Sequence, residues 1–170
     1  MTRLERQLLS LLDALREHAT AGSVDRIRHT VVALADHADE LDLTDPYHHG
    51  VRHLYDYVDA TTRAAVTDPT AWITGPRAEI ENSLSAVLAA ARRGGGVYTV
   101  SCLREDLTRL TRRIDALPAA DGEPLRHLLA YVQMKTHQAM ELAVHRDWGI
   151  VTTAPRPDRT PVAASDHHTH

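Results

Sequence analysis

The sequence predicts an all-α, single-domain bundle of about six amphipathic helices followed by an extended C-terminal tail. The chain is rich in leucine and alanine, which favour helices, and it has no phenylalanine. Apolar residues recur at helical spacing, and capping residues, glycines and prolines stand where those patterns stop. With 170 residues, one domain with a substantial core is expected.

The first half of the chain predicts three helices. The first is expected from about Thr2 to Ala21, with leucines along one face and Gly22 at its end. The second should follow Ser23 as N-cap and reach about Leu41. Thr44-Asp45-Pro46 is typical of a helix start, and the third helix should then run to about Val66.

The second half predicts three more helices. One is expected from Pro76 to Arg93, where three consecutive glycines end it. Residues 97–100 have β character, so the next helix is expected to begin at Ser101. After a loop over 118–122, the last helix should run from about Glu123 to Trp148.

The domain division follows from these patterns, with a helical domain at 1–148 and a tail at 149–170. Pro155, Pro157 and Pro161 lie in the tail, which has no helical period after them. This composition predicts an extended or disordered segment. Residues 150–153 could pair with 97–100 as a small β ribbon.

Charge patterning argues against several classes of partner. The net charge of −4 disfavours a nucleic-acid partner, because such binders usually carry a basic excess. Residues 36–68 hold eight acids against two arginines, whereas residues 92–113 hold six arginines against two acids. We interpret these segments as solvated faces that attract each other, within one fold or between subunits.

The termini and the single cysteine give further expectations. Charged residues interrupt the N-terminal apolar pattern, so it does not predict a signal peptide. No apolar run approaches the ~20 residues needed to span a bilayer, so we expect no membrane partner and a cytoplasmic location. Cys102 excludes an intrachain disulfide and is expected to pack as a structural residue.

Histidines at helical spacing suggest metal ligands. His49 and His53 are four residues apart, with Asp56 close behind, and such a pair can hold one ion. These three side chains, however, point away from the predicted apolar stripe of their helix, which favours a solvated face.

A second set is His137, Glu141 and His145, which are also four residues apart. One ion cannot easily take all three, because the two histidines lie about 12 Å apart along the axis. It could take His137 with Glu141, or Glu141 with His145, together with ligands from another helix or subunit. A solvated ion pair or an interface are the alternatives to a metal site here. The ferritin-like di-iron pattern is excluded, because no glutamate is followed by histidine three residues later.

One helix carries the side chains best suited to contact a ligand or a partner. These candidates share aromatic or cationic character and cluster in the third predicted helix: Tyr47, His48, Arg52, Tyr55 and Tyr57. Such side chains stack on aromatic ligands, and they also form ordinary contacts between helices.

The function that the sequence favours is a binding or regulatory module that acts through helix faces and self-associates or binds a protein partner. The alternative is a metal-dependent helical bundle with a divalent transition metal held by histidine and carboxylate ligands. No Walker loop, G-x-S-x-G or H-E-x-x-H motif is present, so no catalytic motif is recognised, and a metal-dependent enzyme stays within that alternative.

Overall fold

The computed structural model describes residues 1–17, 20–70 and 74–149, which form seven helices and no strand. The predicted all-α class is therefore confirmed. The helices are α1 (Arg3–Glu17), α2 (Ala21–Ala33), α3 (Ala35–Asp39), α4 (Pro46–Thr67), α5 (Gly75–Arg93), α6 (Val97–Asp115) and α7 (Ala119–Trp148).

Two long helices, α4 and α7, occupy the centre of the bundle. Helix α7 packs against α4, α5 and α6, while α4 also packs against α1, α2 and α3. The α4–α7 pair therefore joins the N-terminal helices to the C-terminal ones. Any site between these two helices is supported from both sides.

The core is mainly aliphatic, as the absence of phenylalanine requires. Leu8, Leu54, Leu84, Leu125 and Leu128 are among its fully buried or almost fully buried members. Burial of such side chains removes apolar surface from water at roughly 25 cal/mol per Å², which is the main force that holds the helices together.

Several predicted helix ends agree with the structure. Asp45 caps α4 by accepting a hydrogen bond from the Tyr47 backbone N–H at 2.8 Å, and Pro46 stands in the first turn. Gly94 ends α5 with a φ of 72°, a left-handed conformation that glycine adopts without strain. These local signals were sufficient because capping depends on residues close in sequence.

The strand and helix start predicted around residues 97–101 are wrong. Residues 97–100 form the first turn of α6, which begins at Val97 rather than Ser101. Two tertiary contacts stabilise this turn: the Val97 backbone N–H donates to Asp147 Oδ2 at 2.8 Å, and Val100 is buried beside Ala139 and Ala143. Packing here outweighs the β propensity of the segment.

Further boundaries differ from the expectation. The first helix ends at Glu17, and α2 begins directly after Thr20, which is its N-cap in place of Ser23. The second predicted helix is divided at Leu34 into α2 and the short α3, and the loop expected over 118–122 is instead the start of α7.

The predicted ribbon is wrong, because one of its two strands, 97–100, is helical. Residues 150–170 lie outside the described part, so the extended tail and the domain division stay predictions.

None of the helices within the described ranges combines the length and hydropathy needed to cross a membrane. Cys102 lies on an exposed position of α6, which corrects the expectation that it packs inside the protein.

Candidate metal centre

Helices α4 and α7 run antiparallel, and this brings distant residues together in pairs. Lys135 lies over the Tyr47 ring at 5.7 Å, and one turn further along α4 Gly50 meets Met134. Another turn along, His53 meets His127. Residue numbers rise on one helix as they fall on the other, so the seam between the helices has a fixed register.

A close approach at Gly50 sets the distance between the two helices. A Cβ atom added there would lie 2.6 Å from Met134 Cε and 3.0 Å from Met134 Cβ. Glycine is therefore needed where α4 presses against α7. His49 and His53 flank this contact, so it also fixes how close their helix comes to His127.

Three side chains with metal-binding atoms meet at the seam: His53 and Asp56 of α4 and His127 of α7. One ligand atom from each lies within 4.8 Å of the other two, and all three residues are half-buried. The Nδ1 atoms of His53 and His127 are 2.9 Å apart. Without an ion, one imidazole donates its proton to the other, because two unprotonated nitrogens at this distance would repel.

His49 lies beside this triad. Its ring meets that of His53 edge-on, with ring centroids 4.6 Å apart, and its side chain is exposed. Burial, together with the nearby His49 and His127, lowers the pKa of His53, while Asp56 acts in the opposite direction. A lowered pKa keeps the imidazole neutral near pH 7, which is the form that binds metals.

Asp56 has a second partner in Arg52. The Arg52 Nε donates to Asp56 Oδ1 at 3.2 Å, and its Nη1 donates to Asp39 Oδ1 at 2.6 Å. A carboxylate has several acceptor sites, so Asp56 can accept from arginine while the carboxylate also faces the histidines. Arg52 orients this carboxylate and also competes with a cation for it.

A buried carboxylate joins the same seam one turn of α4 before Gly50. Glu5 of α1 is fully buried, and it accepts hydrogen bonds from Tyr131 at 2.6 Å and from Tyr47. Lys135 Nζ lies 3.0 Å from Oε1, the oxygen that also accepts from Tyr131, while Tyr47 donates to Oε2. Burial would raise the pKa of Glu5, but the two tyrosines and Lys135 together lower it. The carboxylate is therefore held ionised between three helices.

The residues predicted as a ligand or partner surface do not lie together on one accessible face. Tyr57 is fully buried, and burial with the nearby Glu81 raises its pKa well above its ordinary value. Tyr55 is 7 % exposed, and Tyr47 belongs to the Glu5 cluster. His48 is half-buried, with its Nδ1 buried and lacking a hydrogen-bond partner among the described residues.

The second predicted metal set is not brought together as a site. His137 Nε2 lies 3.3 Å from Glu141 Oε1, and both side chains are largely exposed. His145 is exposed as well. Within the described ranges, the candidate cluster is instead His53, Asp56 and His127.

Sequence reasoning missed His127 because no other histidine lies at helical spacing from it. Its partner on α4 is 74 positions away. Its place in the helix gave no signal, because at about 100° per residue His127 points nearly opposite the stripe that holds Leu125 and Leu128. Glu5 was missed because its partners on α4 and α7 are also distant in sequence, although its place beside Leu4 and Leu8 on α1 was an available signal.

The chain matches no known family model, no curated protein and no solved structure. The function must therefore be inferred from the site itself.

Proposed function

We propose that the protein binds one divalent transition metal ion at the α4–α7 seam through His53, Asp56 and His127. The observation that carries this proposal is the convergence of two imidazoles and a carboxylate from two central helices. Two histidines with one carboxylate form a ligand set used by both zinc and non-haem iron proteins. The proposal combines the binding module and the metal-dependent bundle that the sequence offered as alternatives.

The two histidines already face each other across the seam. The Nδ1 atoms of His53 and His127 lie 2.9 Å apart because they share a hydrogen bond. An ion would replace the shared proton, and each ring would turn so that both nitrogen lone pairs point to the ion. Two imidazoles with one carboxylate suit Zn(II), Fe(II), Co(II), Ni(II) and Cu(II), so the titration below compares three of these metals.

Asp56 is the third ligand of the proposed site. The three ligand atoms lie within 4.8 Å of one another, and two ligands of one ion are at most about 4.2 Å apart, so a small adjustment is enough to place all three on one ion. A cation bound to Asp56 would weaken the pair of this carboxylate with Arg52. His49 is placed to supply a fourth ligand, because its ring already contacts that of His53.

An ion held by three or four ligands in an octahedral arrangement keeps open positions. Such positions accept water, a small ligand or a group from a partner. The ion would also link α4 to α7, so that its binding free energy adds to the stability of the bundle. We therefore propose a metal-responsive binding module, with no catalytic residue assigned.

The test is a titration of the metal-free full-length protein with Ni²⁺, Co²⁺ and Zn²⁺. It should be done in a background with His167, His168 and His170 replaced by alanine, so that the tail histidines do not contribute. One equivalent should bind. The double change His53→Ala/His127→Ala should weaken metal binding by more than about 100-fold. It removes two direct ligands, and the loss of a residue that only hydrogen-bonds to a ligand already costs about 10–100-fold in metal affinity.

The matched control is His137→Ala/His145→Ala, which removes two exposed histidines from α7 and should leave the affinity unchanged. Equal losses in the two double variants would mean that binding is nonspecific. Absence of stoichiometric binding at micromolar metal would overturn the proposal.

Self-association is a second candidate, and one observation favours it. Tyr98, Leu142 and Trp148 are 83 %, 65 % and 75 % exposed. The contact between Val97 and Asp147 places Tyr98 and Trp148 at the same end of the bundle. Exposed large apolar side chains at one end are typical of an interface.

Sedimentation velocity tests this candidate. Tyr98→Gln/Trp148→Gln should convert a dimer to a monomer, whereas Val32→Gln, on α2, should not. A wild-type protein that is monomeric at about 100 µM, far above the micromolar Kd of ordinary interfaces, would exclude it.

A further inference from the structure

A groove of about 580 Å³ lies between α6 and α7, away from the metal centre. Its rim carries Arg104 and Arg112 on α6 and Gln133 and His137 on α7, and Leu107 and Thr136 lie at its buried base. Its volume is that of a site for a small molecule. His137 is ten residues beyond His127, about 15 Å along the α7 axis, so the two sites are separate.

The charge in this groove is not neutralised. No acidic residue lines it. Within the described ranges no ion pair reaches Arg104 or Arg112, whereas their neighbours on α6 are paired: Arg109 with Glu105 and Asp106, and Arg113 with Glu79. One helix thus carries two arginines engaged by acids and two that face a cavity.

The donors in the groove indicate the ligand's chemistry. Each guanidinium presents a planar set of N–H donors suited to the oxygens of phosphate or carboxylate groups. Arg104 and Arg112 are eight residues apart, about 12 Å along the axis, which suits an elongated ligand with an anionic group towards each end. Gln133 supplies both a donor and an acceptor from the opposite helix.

We propose that this groove binds a small, elongated oxyanion bearing at least two phosphate or carboxylate groups. The positive charge predicted for residues 92–113 then serves a ligand, rather than only a surface that attracts the acidic segment. Helix α6 packs mainly against α5 and α7, and no acidic residue of α4 is among those that line this groove.

The test is calorimetric titration of the metal-free protein with tripolyphosphate and, separately, with citrate, at low and at physiological ionic strength. Metal-free protein is needed because both probes chelate metals. Arg104→Gln/Arg112→Gln should weaken binding of the preferred probe by about 10-fold, since two exposed charged contacts of up to about 1 kcal/mol each give at most about 30-fold. The two probes separate a phosphorylated ligand from a carboxylic one.

Arg109→Gln/Arg113→Gln is the matched control, because it removes the same charge from the same helix outside this groove. It should change the affinity by less than about 2-fold, as expected for charges separated from the ligand and screened by salt. Both double variants change exposed residues, and their circular dichroism and melting should match those of wild type. Equal losses in the two variants, or failure of both probes to bind at millimolar concentration, would overturn the proposal.

Discussion

At the scale of single residues, the central feature is that polar side chains predicted to face water lie between helices instead. Glu5 and His127 each sit beside apolar neighbours in sequence, and each finds its partners on another helix. The spacing of apolar residues predicts which face of a helix is buried. It therefore predicts a solvent-exposed position for a polar residue whose buried partner is distant in sequence. His53 and Asp56 were identified from spacing, but the third member of the site could not be.

Glu5 gives a prediction about stability. Glu5→Gln should lower the free energy of unfolding by about 3 kcal/mol at pH 7, because it leaves Lys135 without its buried counter-charge. Urea denaturation followed by circular dichroism measures this. Glu123→Gln, the same change at an exposed position of α7, should alter stability by less than about 0.5 kcal/mol.

The same carboxylate predicts a dependence on pH. Its pKa is lowered below the ordinary 4.5 in the folded protein, so its stabilising contribution is complete above that value. The contribution is then lost as the pH falls through the lower, folded-state pKa. The stability difference between wild type and Glu5→Gln should therefore shrink as the pH falls below the ordinary value of 4.5. A difference that grows on acidification would contradict the assigned direction.

Arg52 gives a prediction about affinity. Its pair with Asp56 would compete with a bound cation, so Arg52→Gln should tighten metal binding by up to about 5-fold, the size of one partly exposed ion pair. Arg63→Gln is the control. Arg63 also pairs with an aspartate four residues away on α4, Asp59, but this aspartate is not part of the proposed site. Weaker binding in Arg52→Gln would mean that Arg52 positions Asp56 for the ion rather than withholding it.

At the scale of helices, capping and turn residues predicted the start of α4 and the end of α5. They failed at the start of α6, because that turn depends on Asp147 and on a cluster with α7. Short segments have weak intrinsic preferences that tertiary packing overrides. The pairing of α4 with α7 also depends on a contact between residues distant in sequence, at Gly50 and Met134, that no local pattern contains.

That contact predicts a coupled effect on fold and site. Gly50→Ala should destabilise the protein by about 1–3 kcal/mol through overpacking against Met134, despite the better helix propensity of alanine. Metal affinity should fall as well, because α4 would be displaced from α7. Gly22→Ala is the control: no atom lies within 4 Å of the added Cβ, and stability should change by less than about 1 kcal/mol.

At the scale of the molecule, α4 and α7 form one central pair of helices. Their apolar faces pack into the core, and the candidate metal site lies where the two helices meet. Leu128 lies one residue from His127 and is 2 % exposed. Leu128→Ala should therefore cost roughly 2–5 kcal/mol, as a buried leucine truncation does. Thermal or urea unfolding checks this, and an effect under about 0.5 kcal/mol would place Leu128 on the surface.

The most direct measurement of the central claim is a crystal structure of the protein grown with Ni²⁺ or Co²⁺, with anomalous diffraction recorded at the metal's absorption edge. We expect one anomalous peak at the α4–α7 seam, about 2.0–2.2 Å from an imidazole nitrogen of His53 and of His127, with an Asp56 oxygen drawn to a similar distance. A fully occupied peak elsewhere, such as between His137 and Glu141, with none at the seam would contradict the account.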